Sequence, residues 1–101
     1  MLRDPGHRKT RIVSMAEAEE LAIAALGFMA QDPDRIGRFL SITGLGPENL
    51  RQAAGQAGFL ASVLDYLAQD ERLLMAFAEV ERIAPETVTR AHAALTGSPT
   101  P

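Results

Sequence analysis

Residues 25–47 read ALGFMAQDPDRIGRFLSITGLGP, two helical patterns and their stop signals in 23 residues. Asp32-Pro33 divides it in two. Proline disfavours helical geometry in the residue before it, while its own fixed φ suits the first position of a helix. Asp32 therefore ends one helix and caps the next. Upstream, Leu21, Ala25, Phe28 and Met29 recur at helical spacing and predict a core face. Downstream, Ile36, Phe39 and Leu40 do the same over a helix expected from Pro33 to Thr43. Gly44 suits the left-handed residue that follows a helix, with Leu45 able to fold back onto the last turn. Gly46-Pro47-Glu48 then opens a third helix, expected to end near Gly55.

Upstream, Ser14-Met15-Ala16-Glu17 has the spacing of a capping box, so the first helix is expected to follow it and run to about Gln31. Glu17, Glu19 and Glu20 crowd its first turn, where the helix dipole favours negative charge. On the other side, a fourth helix is expected from Gly58 or Phe59, with Leu60, Val63, Leu64 and Leu67 as its apolar stripe. Asp70 breaks and re-caps the chain before a fifth helix carrying Leu73, Leu74, Phe77 and Val80. Pro85 opens a sixth, where Val88, Ala91 and Leu95 face one way. Period-two alternation is confined to a weak trace at Arg11-Ile12-Val13. The fold class is all-α, a compact bundle of about six short helices.

Shifted by 38 residues, positions 25–53 lie over 63–91 without a gap, and 8 of the 29 pairs are identical. Roughly two identities are expected by chance at typical residue frequencies. The identities include punctuation as well as core: Asp32 with Asp70, Pro47 with Pro85, Glu48 with Glu86, and Phe39 with Phe77. The expected organisation is therefore two pseudo-repeated three-helix units, 16–55 and 58–96, inside one helical domain spanning 15–96. Arg82 stands where Gly44 stands in the first unit. A left-handed conformation costs a non-glycine residue roughly 1 kcal/mol, so the fifth helix is expected to end differently or to run on.

Composition narrows the chemistry. The 101 residues contain no cysteine, which removes disulfides and thiolate metal sites. The formal charge of −3 is uneven. Arg3, Arg8, Lys9 and Arg11 against Asp4 make the first thirteen residues basic, while the remainder carries 6 basic and 12 acidic residues. Residues 1–14 are thus expected to be a disordered basic tail and 97–101 a disordered C-terminal end. Nucleic acid could be contacted only through that tail, because the helical body is acidic. The stretch Leu21 to Ala30 is about half the length needed to span a bilayer, and the opening residues lack the apolar run of a signal peptide. A cytoplasmic location without membrane contact is expected.

Several short segments carry a family resemblance: Ala25-Leu26-Gly27-Phe28, Asp32-Pro33, Arg38-Phe39-Leu40, Thr43-Gly44-Leu45 with Pro47, Leu64-Asp65-Tyr66, and Asp70-Glu71. In these the chain resembles a small bacterial family, found mainly in alphaproteobacteria, that is classed as a domain of unknown function. The resemblance covers most of residues 16–96. It implies a small helical bacterial protein and brings no activity, cofactor or catalytic residues. It also implies a start just before the first helix, which makes Met15 an alternative initiator.

The residues nominate no catalytic, cofactor-binding or metal site. His7 and His92 lack a second ligand at binding spacing on their own segments. Thr43-Gly44-Leu45-Gly46-Pro47 is glycine-rich, but Pro-Glu-Asn follows where a phosphate loop needs Lys and Ser or Thr. Asp32 and Asp34 fit a cap and a first-turn acid better than a metal pair. Leu26-Gly27-Phe28 is similar to the Met-Gly-Phe loop of ubiquitin-associated domains, yet here it sits inside a helical pattern. The expected role is a non-catalytic protein-interaction or structural module, acting on a protein partner or by self-association. Its expected face comprises Ile23, Met29, Leu73 and Met75, apolar residues that point to several sides of their helices. The alternatives are weak nucleic-acid contact through the basic tail and binding of a small ligand.

Overall fold

A computed structural model of the chain describes residues 13–97, and among these the order is α1 (Met15–Ala30), α2 (Pro33–Thr43), a 3-10 turn (Pro47–Asn49), α3 (Leu50–Ala53), α4 (Ala57–Gln69), α5 (Glu71–Glu81) and α6 (Pro85–Thr96). No strand occurs among the described residues. Residues 1–12 and 98–101 lie outside them, and with them most of the two expected tails. The described chain nevertheless begins inside the expected N-terminal tail. Val13 packs against the core, and Ser14 closes the capping box. Its Oγ accepts from the Glu17 amide at 3.1 Å, and its own amide donates to Glu17 Oε1 at 3.1 Å.

Capping residues set the boundaries. Asp32 is extended, and its Oδ1 accepts from the Asp34 amide at 3.1 Å with Pro33 at the first helical position. Asp70 repeats this role for α5, accepting from the Leu73 amide at 3.2 Å. Gly44 ends α2 in the left-handed region at φ 77°, donating to the Leu40 carbonyl at 2.8 Å. Gly97, expected in the C-terminal tail, ends α6 the same way at φ 74°.

Arg82 corrects the sequence-based expectation for α5. It adopts φ 60° and ψ 46°, the left-handed conformation that glycine would take. Two hydrogen bonds hold it there: the Ile83 amide to the Ala78 carbonyl at 3.0 Å, and the Arg82 amide to the Glu79 carbonyl at 3.3 Å. Together they form a Schellman motif, and Ile83 beyond it packs against the core. These interactions offset a backbone cost of roughly 1–2 kcal/mol.

The third helix is also shorter than expected. Pro47 to Ala53 forms a 3-10 turn and a single α-turn, not one helix to Gly55. Asn49 offers α3 no side-chain cap, and α3 buries none of its residues. One turn bears the full nucleation cost of a helix, and of this one only Leu50 packs against the core, in part. α6, by contrast, buries Val88, Ala91 and Leu95 and runs for 12 residues.

The core lies where α1, α4 and α6 pack against one another. On α1 its seam is Ala18, Ala22, Ala25 and Met29, all fully buried, joined by Leu26. The 4-3-4 spacing keeps them on one face, and three methyl-sized side chains let the neighbouring helices come close. Leu21 and Phe28, expected at the centre of that face, are only partly buried at its edges. On α4 the stripe is Leu60, Ala61, Val63, Leu64 and Leu67. No polar or charged residue is buried among the described residues.

Two aromatic bridges tie the outer helices to this core. Phe39 of α2 meets Tyr66 of α4 edge-on at 5.2 Å and Phe59 at 5.9 Å. Phe77 of α5 meets Phe28 of α1 at 5.5 Å. Phe39 and Phe77 correspond at the 38-residue offset, as do Tyr66 and Phe28. Each outer helix is thus joined by an aromatic pair to one of the core helices, α5 to α1 and α2 to α4. Such ring pairs contribute about 0.5–1.5 kcal/mol beyond the area they bury.

Candidate interaction surface

α2 and α4 line an open groove of about 430 Å³ beside Phe39. From α2 it takes Arg38, Phe39, Ile42 and Thr43, and from α4 Ser62, Asp65, Tyr66 and Gln69, with Asp70 at the helix junction. On both helices the spacing dictates the face. Residues three and four apart stack along one side of a helix, as 39 and 42 or 62, 65, 66 and 69 do. Phe39 forms the floor, 1% exposed, with the half-buried Tyr66 ring against it.

Ile42 stands on the α2 lip and is 66% exposed, the highest value of any large apolar side chain among the described residues. At 3.6 residues per turn it lies roughly 60° beyond Phe39 around the helix. Phe39 turns inward and Ile42 forms the lip as a result.

Most polar groups of the groove are held by their own helices. The Thr43 hydroxyl donates to the Leu40 carbonyl at 3.2 Å, and the Ser62 hydroxyl to the Phe59 carbonyl at 2.6 Å. Asp65 accepts from the Gln69 side-chain amide at 2.8 Å, which fixes its carboxylate along the α4 lip. Arg38 makes no ion pair among the described residues, although it shares the groove with Asp65 and Asp70. The groove therefore offers an apolar, aromatic floor with a cation on one lip and two carboxylates on the other. Such a surface can hold an amphipathic segment and fix its direction.

The residues nominated from sequence fall elsewhere. Met29 and Leu73 are core residues, 0% and 2% exposed, and cannot belong to a contact surface. Both sit on the inward face of their helices, Met29 in the alanine seam and Leu73 one turn before Phe77. Ile23 and Met75 are about half exposed but lie on α1 and α5, outside the groove. Val80, one of the apolar residues that mark α5 in the sequence, is 62% exposed. His92 is half-buried on α6, and His7 lies outside the described residues.

Among the described residues no three histidine, aspartate or glutamate side chains gather as metal ligands would. No helix among them is long and apolar enough to cross a membrane.

Residues 15–98 match the family model described as "Protein of unknown function (DUF3572)". No curated protein and no solved structure matches the chain. The matched span runs from the first residue of α1 to just past α6 and includes every residue of the groove, so the chain belongs to the DUF3572 family.

Proposed function

We propose that this protein is a non-catalytic interaction module whose α2–α4 groove docks an amphipathic segment of another polypeptide. One observation supports this above the others: exposed Ile42 is continuous with the aromatic floor of Phe39 and Tyr66, with opposite charges flanking it. A single exposed aliphatic side chain is ordinary on a protein surface. An exposed aliphatic lip over a concave aromatic floor is the geometry of a contact site. Covering the exposed two thirds of Ile42 would contribute about 1–2 kcal/mol, and a docked segment would add the uncovered part of Tyr66. A bacterial, cytoplasmic setting forms part of the same proposal.

Carboxylate footprinting tests it. Asp65 and Asp70 are modified by a water-soluble carbodiimide in the purified dilute chain and in a fresh extract of the cells that make it. Protection of both in the extract, with Glu79 on α5 modified equally in the two samples, is the expected result. Equal modification of Asp65 in both samples would remove the groove from its proposed role.

A further inference from the structure

We infer that the segment occupying the groove is α2 of a second copy of this chain, so that the working unit is a two-fold dimer. The inference rests on the groove being the docking surface and names its occupant. A two-fold interface uses the same patch on both copies, so that patch must be complementary to itself. This one is. The α2 lip presents a guanidinium, Arg38, and an exposed aliphatic side chain, Ile42. The α4 lip presents two carboxylates, Asp65 and Asp70, beside the Tyr66 ring. Within one chain Arg38 forms no ion pair with either aspartate.

A two-fold rotation sets the α2 lip of each copy against the α4 lip of the other. Arg38 then faces Asp65 and Asp70 of the second copy, and Ile42 covers its Tyr66, each contact occurring twice. The lengths also agree. α2 has 11 residues and α4 has 13, so the facing helices measure about 16 and 20 Å.

Charge reversal distinguishes this arrangement from a generic sticky groove. Sedimentation velocity of the full chain, run from low-micromolar to near-millimolar concentration, is expected to show a monomer–dimer equilibrium. Arg38→Glu sets like charges against each other and is expected to raise the dimer dissociation constant roughly tenfold or more, as is Asp65→Arg alone. The double variant Arg38→Glu with Asp65→Arg is expected to recover dimerisation. Asp70 is left intact because it caps α5, and each variant is checked by circular dichroism and melting temperature.

A wild-type chain that stays monomeric throughout overturns the inference, as does a double variant no better than either single one. If the chain is monomeric while Asp65 and Asp70 remain protected in extract, the second copy is the wrong occupant and the groove keeps its role. If a dimer forms that Val80→Asp dissociates and Ile42→Asp does not, both the occupant and the groove are wrong.

Discussion

Replacing Arg82 with glycine and with alanine should give an inverted order of stability. Inside a helix, alanine is more stable than glycine by about 1 kcal/mol. At position 82 the backbone is left-handed, with φ 60° and ψ 46°, where any Cβ costs roughly 1–2 kcal/mol. Glycine removes that cost but restores about 0.4–1 kcal/mol of unfolded-chain entropy. Arg82→Gly should therefore be more stable than Arg82→Ala by about 0.5–1 kcal/mol. Comparing the two substitutions cancels the loss of the arginine charge near the helix C-terminus, itself worth about 0.3–1 kcal/mol. Gly44 supplies the mirror experiment. Its φ is 77°, and a Cβ added there would meet nothing within 4 Å, so only backbone cost enters. Gly44→Ala should lose a similar 0.5–1 kcal/mol. Thermal melts would show each difference as roughly 3–6 °C in a domain of this size. An alanine variant at 82 equal to or more stable than the glycine variant would refute the left-handed assignment of that residue.

Phe77→Ala should cost about 3–5 kcal/mol in urea denaturation, because Phe77 is fully buried and bridges to Phe28. A loss below about 1 kcal/mol would mean that α5 is not held by that bridge. Ser14→Ala should cost about 1 kcal/mol through loss of the capping box, read as a lower denaturation midpoint at unchanged slope. Ile42→Asp should cost no more than about 1 kcal/mol of stability, because the side chain is mostly exposed and the new charge sits in the last turn of α2, while abolishing association through the groove. A large stability loss from Ile42→Asp would place that residue in the core instead.

Helix boundaries were legible because single residues enforce them. Asp32-Pro33, Gly44, Asp70 and Pro85 act locally, through hydrogen bonds and fixed dihedrals that neighbouring sequence reveals. The buried stripes of α4 and α6 were equally plain, since each helix carries large apolar residues on one face only. α1 misleads for the opposite reason: its apolar residues surround it, and the true seam is marked by alanines. Met29 and Leu73 drew attention as surplus apolar residues, yet they are the ones the core consumes. The short α3 buries none of its residues fully, which local spacing does not encode. The groove was hidden because it belongs to two helices at once. Ile42 and Asp65 gain meaning only when α2 and α4 lie side by side.

Site-specific photo-crosslinking in intact cells tests the groove most directly. A photoreactive residue is placed at position 42, at the α2 lip, and separately at position 75, on exposed α5. The expected result is an adduct from position 42 and none from position 75, with a mass about twice the 10.9 kDa of one chain. An adduct from position 42 to a different protein would keep the groove and discard the second copy. Adducts from position 75 with none from position 42 would contradict the groove as the contact surface.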